Sequence, residues 1–143
     1  LARTAATKNH AYTDTFPHEG YETVGEALLE PTRIYAQLLD PMREADVRGA
    51  AHITGGGWTN LGRLGENRYA VDDPFDAQPV FDFVQAEGNV SDAEMHTTFN
   101  MGTGFVAAVG DEAAAESLAE STDGRVIGHV EEGDGVSIRG LEL

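Results

Sequence analysis

The sequence predicts an α+β domain, a mixed β-sheet with helices packed on it. Three observations predict this. Short apolar runs alternate with capped helical segments along the chain. The last two strand-like runs, 125–130 and 136–141, are separated only by Glu132-Gly-Asp-Gly135, which reads as a hairpin turn and not a helical crossover. The length of 143 residues with 41% apolar content is enough for one core.

The elements follow in chain order. Residues 1–9 read as the tail of a helix. Residues 10–26, with Pro17, Gly20 and Gly25, read as a loop. Thr32–Tyr35 follows Pro31 and is expected as a short strand. Asp40-Pro41 is an N-cap followed by proline at the first helical position, with a start a few residues earlier also compatible. Val47–Thr54 is a strand that stops at Gly55, and Trp58–Leu61 begins a short helix. Asn67–Val71 is a further strand. Pro79 opens a helix with Val80, Phe83 and Val84 at core spacing, closed by Gly88. Ser91-Asp-Ala-Glu94 is a capping box, with Val90 and Met95 placed as its staple. Phe105–Val109 is a continuous apolar run, expected as a strand buried on both faces. Asp111–Glu120 is an acidic, alanine-rich helix.

The charge excludes several functions. There are 25 acidic and 9 basic residues, giving a formal net charge of -16, and the one lysine is Lys8. A broad basic footprint for nucleic acid is absent, and an anionic membrane surface would repel this chain. With no cysteine, disulfides, thiol catalysis and thiolate metal sites are excluded. No apolar run approaches the roughly 18 residues of a membrane span, and no signal-peptide pattern is visible. A soluble cytoplasmic protein is the expectation. Surface acids repel one another across a Debye length of about 10 Å at about 0.1 M salt and about 3 Å at about 1 M. The scattered acidity therefore reads as halophilic, an adaptation to a salt-rich cytoplasm. Within Pro31–Val71 five arginines face four acids, so the positive charge gathers in one stretch.

That stretch holds the strongest local motif, Ala51-His-Ile-Thr-Gly-Gly-Gly57. Gly55, Gly56 and Gly57 lie between a strand and a helix, where backbone N–H groups can converge into a phosphate cradle. A tight turn needing a positive φ is the plainer reading, and both stay open. His52 could donate to an anion or shuttle a proton, or it could be a buried structural histidine. Gly102-Thr-Gly104-Phe-Val-Ala107 matches G-x-G-x-x-A in form only, because Phe105 opens a strand where a dinucleotide fingerprint needs a helix. Asn100 is a candidate polar group beside those glycines. The five histidines show no metal-ligand spacing, and no catalytic metal is expected in this chain. Trp58, Phe75, Phe81 and Phe83 read as core or lid residues.

These segments also resemble a family. Gly25-Glu-Ala-Leu-Leu-Glu-Pro-Thr-Arg-Ile-Tyr35, Ala51–Gly57, Val80-Phe-Asp-Phe-Val-Gln85, Gly88-Asn-Val-Ser-Asp-Ala-Glu-Met95 and Thr98-Phe-Asn-Met-Gly-Thr-Gly104 resemble, in order and spacing, the phosphoribosylformylglycinamidine cyclo-ligase family (aminoimidazole ribonucleotide synthetases). Val126-Ile-Gly-His-Val130 fits that family's closing strand. The resemblance covers residues 1–143 and matches only the family's C-terminal domain. It implies a three-layer α/β/α sandwich. The implied reaction is ATP-dependent ring closure of formylglycinamidine ribonucleotide to aminoimidazole ribonucleotide, ADP and phosphate, in purine biosynthesis. It implies ATP and Mg²⁺ held mainly by an N-terminal domain absent here, and a homodimeric parent. The first helix is expected to be cut, and this chain alone to be inactive. Gly55, Gly56 and Gly57 would form the phosphate loop, whether for nucleotide or ribonucleotide. Thr32, Arg33, His52, Thr54 and Asn100 would line the cleft. The alternatives are another member of the same ATP-binding superfamily, or a non-catalytic anion-binding module.

Overall fold

The structure is a computed structural model and describes residues 1–143. It contains α1 Ala2–Ala6, α2 Val24–Leu29, α3 Leu39–Glu44, α4 Pro79–Gly88, α5 Asp92–Thr98 and α6 Glu112–Glu120. The strands are β1 Gly49–His52, β2 Arg68–Val71, β3 Phe105–Ala108, β4 Gly128–Glu131, β5 Gly135–Ile138 and β6 Leu141–Glu142. Two 3-10 segments, Ala36–Leu38 and Gly57–Leu64, follow different rules from the α-helices around them. The α+β class is as expected.

Side-chain caps set three of the six α-helix starts. Ser91 Oγ accepts from the Glu94 N–H at 3.3 Å, and Asp111 Oδ1 accepts from Ala114 N–H at 2.9 Å. Both satisfy a donor that the first turn leaves orphaned. Val90 and Met95 bury together in one apolar cluster, as a staple requires. Pro79 stands at the start of α4, and the left-handed residue that ends it is Asn89, with φ 50, one position after Gly88. α2 corrects the loop expected over residues 10–26. Thr23 and Glu26 form a complete capping box, and a single bridge joins Thr15 to Thr23. α3 begins at Leu39, so Asp40 lies in its first turn and is not its cap.

The strands depart from expectation in three places. Thr32–Tyr35 is not a strand; it finds no neighbouring strand, and Ile34 is 77% exposed. β3 is half-buried on both faces because it pairs only with β1, antiparallel, in a two-stranded sheet. β4 and β5 do not form a hairpin. The four-stranded sheet runs β4-β2-β5-β6, with β2 inserted between them, antiparallel to β4 and parallel to β5. β2 takes the centre because Tyr69, Ala70 and Val71 are buried, while all of β4 is exposed. The hairpin joins β5 to β6 instead, and Arg139 and Gly140 make its two-residue turn with φ of 49 and 84.

Two apolar clusters result. Ten buried residues from α1, α2, α4, α5 and the loops between form one; Phe83, Val84 and Met95 are at its centre. Eight residues from β1, the loop after it, β2, β5 and the 3-10 helix form the other; Ile53, Trp58 and Leu61 are its most buried members. Each large side chain buried this way contributes roughly 1.5–3 kcal/mol relative to exposure. The segment from β1 to the 3-10 helix carries the glycine triplet between these clusters.

Candidate functional site

β1 ends at His52, and the chain turns through Thr54-Gly-Gly-Gly57 into the 3-10 helix. Gly57 N–H donates to the Thr54 carbonyl at 2.8 Å, closing a four-residue turn. Gly56, at its third position, has φ 96 and ψ -4, the left-handed geometry of a type II turn. Asn60, only 3% exposed, donates from Nδ2 to the carbonyls of Gly55 at 3.2 Å and Gly57 at 2.8 Å. Across a trans peptide the C=O and the next N–H point in opposite directions. The inward carbonyls of Thr54 and Gly55 therefore turn the N–H groups of Gly55 and Gly56 away from the turn. Neither N–H has a partner in the chain, and both residues are exposed.

The three glycines have different reasons to be glycine. Gly56 answers to its φ. Gly57 is buried against the end of α5, where an added Cβ would lie 2.1 Å from the His96 carbonyl oxygen and 2.9 Å from that of Phe99. Gly55 has no positive φ, and nothing lies within 4 Å of where its Cβ would be. Nothing inside the chain asks Gly55 to lack a side chain.

The other expected residues divide between two places. His52 is exposed at the end of β1 and pairs in register with Phe105 at the start of β3. The Tyr35 ring meets His52 edge-on at 5.5 Å and stacks on Phe105 at 5.2 Å. Its hydroxyl lies 2.1 Å from the Cβ that Gly104 lacks, so this glycine makes room for it. Arg33 stands over Tyr35 at 5.8 Å and pairs with Asp123 at 2.8 Å. Thr32 and Thr54 are exposed on the flanking backbone. Thus Arg33, Tyr35, His52 and Phe105 form one cluster at the end of β1, three residues before the glycine turn in the chain. Asn100 is spent differently. Its Oδ1 accepts from Gly102 N–H at 3.0 Å and its carbonyl from Thr103 N–H at 3.0 Å, so it holds its own turn together.

Local charge is more neutral than the arginine count suggests. Arg33, Arg43, Arg48 and Arg68 each meet a carboxylate, which leaves Arg63 as the one arginine of residues 31–71 outside an ion pair. Two contributors are absent from the expected list. Tyr35 lies within a quoted motif, and its signal is an aromatic residue directly after Thr-Arg-Ile. Asn60 is a polar residue on the buried side of a short helix, five positions after Gly55.

Comparison with known proteins gives a consistent picture. Residues 2–140 match the family model described as AIR synthase related protein, C-terminal domain. The chain is 44% identical to a phosphoribosylformylglycinamidine cyclo-ligase of Methanopyrus kandleri, over 96% of this chain and 41% of that protein. It is 44% identical to the protein of the same name from Methanococcoides burtonii, over 94% of this chain and 40% of that protein. The Thermoplasma acidophilum protein of that name is 42% identical, over 91% of this chain and 39% of its own length. The chain thus spans about two-fifths of the length of these curated relatives.

Proposed function

The chain belongs to the AIR synthase related protein C-terminal domain family, and from that premise we propose that it is the C-terminal part of an ATP-dependent cyclo-ligase. The parent reaction closes the imidazole ring of formylglycinamidine ribonucleotide, giving aminoimidazole ribonucleotide, ADP and phosphate. The name shared by these relatives supports the reaction, and the glycine turn supports this chain's share in it. The observation that carries the reading is Gly55: open space where a Cβ would stand, beside two outward N–H groups without partners.

In this reading the Gly55 and Gly56 amides hold oxygens of a phosphate group. Fixed donors aimed at negative charge stabilise it without reorganisation. Asn60 holds the carbonyls back, so the donors stay aligned. His52, next to the turn, donates to the anion or carries a proton, with Tyr35 and Phe105 fixing its ring. Arg33, paired with Asp123 and lying over Tyr35, holds that ring beside His52, and Thr54 lines the turn. Thr32 flanks that cluster, whereas Asn100 supports the neighbouring turn. Bound ATP supplies the transferable phosphoryl group. No three His, Asp or Glu side chains in this chain come together to hold a metal ion. Mg²⁺, which takes one or two carboxylates together with substrate phosphates, would be held mainly by the part of the parent enzyme outside this chain.

The proposal includes an inactive isolated chain, because the remaining three-fifths of the relatives' length has no counterpart in it. It also includes a salt-rich cytoplasm as the working medium, supported by 25 acids against a single lysine. No helix is long and apolar enough to cross a membrane. The test supplies the rest of the protein as a separate chain or in one extended gene. Restored ATP-dependent formation of aminoimidazole ribonucleotide is expected, and it should vanish in Gly56→Val. Turnover by this chain alone, or none after the complement is added, would contradict the reading.

A further inference from the structure

The segment from Leu29 to Leu39 runs from the end of α2 to the start of α3 and is almost wholly exposed. Leu29 and Ile34 are the two most exposed large apolar side chains of the chain, at 80% and 77%, and Leu39 follows at 51%. Single exposed apolar side chains are ordinary on a surface, but their concentration in one short segment marks a contact. The backbone is as bare as the side chains. Glu30 leaves the helix with φ -52 and ψ 120. From Glu30 to Ile34 no backbone N–H or C=O bonds to another backbone group.

The side chains alternate as those of a strand do. Arg33 and Tyr35 turn to the chain: Arg33 pairs with Asp123 at 2.8 Å, and Tyr35 stacks on Phe105 at 5.2 Å. Thr32 and Ile34 are exposed. Thr32–Tyr35 therefore has the composition and alternation of a strand, is held by one face, and has both edges unpaired.

Charge decides what can pair with it. Against the start of the segment lies an open hollow of about 820 Å³, whose lining includes Leu29 and the carboxylates of Glu22, Glu26 and Glu30. None of the three is in an ion pair. A second copy docked about a twofold axis would set this patch against itself, acid to acid. The matching surface is a different one, with an open sheet edge, an apolar seat and basic side chains at its margin. The rest of the parent, about three-fifths of the relatives' length, accompanies this chain at fixed stoichiometry.

We propose that Thr32–Tyr35 is a docking strand that pairs with a sheet edge in the part of the parent enzyme outside this chain. Main-chain hydrogen bonds hold it there, and Leu29 and Ile34 fill apolar seats. Because Tyr35 meets His52 edge-on at 5.5 Å, docking brings the His52 end of β1 to the seam. The proposal rests on reading this chain as the C-terminal part of a longer enzyme, and it goes further by naming the contact.

The test compares amide hydrogen exchange, residue by residue, in this chain alone and in the parent made from one extended gene. In the chain alone, the N–H groups of Thr32–Tyr35 should exchange as open backbone. In the parent, alternate ones should slow on the order of a hundredfold, because a strand paired on one edge points every second N–H to its partner. Ile34→Asp should return them to fast exchange. The N–H of buried Ile53, bonded to the Gly104 carbonyl at 2.9 Å, reports that the variant keeps its fold. Turnover is followed in the same parent. Fast exchange at all four positions would overturn the docking strand, and ring closure by that same parent would leave the proposed function standing. Slow alternate amides in a parent that makes no product would support the strand and overturn the proposed function. Equal slowing of all four, or protection that survives Ile34→Asp, would overturn the strand. Protection in the chain alone that grows with its concentration would overturn it too, by showing a second copy as the occupant.

Discussion

The two ends of the glycine turn have the same composition and opposite surroundings. Gly57 is packed against the carbonyls of His96 and Phe99, and its N–H is spent on Thr54. Gly55 and Gly56 are exposed, with N–H groups that nothing in the chain uses. The difference teaches that a glycine run need not have one purpose. The inner end joins β1's sheet to α5 and so couples the two apolar clusters, while the outer end is shaped for something outside the chain.

The largest effect should come from breaking the inner end. Gly57→Ala places a Cβ 2.1 Å from the His96 carbonyl oxygen. Backbone must move, so a loss of roughly 3 kcal/mol or more is expected, read by chemical denaturation. At Gly56 the clash disappears but φ 96 remains. Gly56→Val should cost about 1–3 kcal/mol, keep the native circular-dichroism spectrum and lose phosphate binding. If Gly56→Val lost the fold while Gly57→Ala kept it, the assignment of the two ends would be reversed.

How far the sequence discloses these two ends depends on the range of the interactions. Helices α4, α5 and α6 are visible because Pro79, Ser91 and Asp111 act on their own first turns. The Thr23–Glu26 box is equally local, but it sits in a polar stretch that also contains Pro17 and Gly20, which reads as loop. The β4–β5 hairpin fails for a different reason. Gly133 and Gly135 do turn the chain, with φ of 135 and 97, yet β2 enters between the two strands from over 50 residues earlier. Turn chemistry cannot report such an insertion. The glycine triplet is visible as a candidate loop. That Gly57 packs against α5, that Asn60 holds the turn, and that Tyr35 touches His52 are contacts between distant segments, without a local signature.

Salt should act on the whole acidic surface without preference for either end. Between about 0.1 M and 2 M KCl the melting temperature should rise by on the order of 5 °C, as repulsion is screened. An unchanged melting temperature would remove the salt-adapted reading and leave the glycine turn untouched.

The smallest effect belongs to two surface carboxylates far from the turn. Hydrogen bonds from Asn9 and then His10 hold Glu87 below the usual carboxylate range, and Arg68 does the same for Glu142. A carboxylate depressed in the fold contributes stability above its unfolded pKa, near 4.3, and loses it as pH falls through the lower folded value. Glu87→Gln should therefore flatten the acid limb of the stability curve slightly. Stability measured from pH 6 to pH 3 checks this; a steeper acid limb in the variant would contradict the sign.

Backbone amide NMR during a titration with inorganic phosphate, and then with ATP, addresses the outer end directly. The account predicts saturable downfield shifts at the Gly55 and Gly56 N–H groups, with the Gly57 N–H unmoved because Thr54 already holds it. Shifts at Gly57 with none at Gly55 and Gly56 would contradict it.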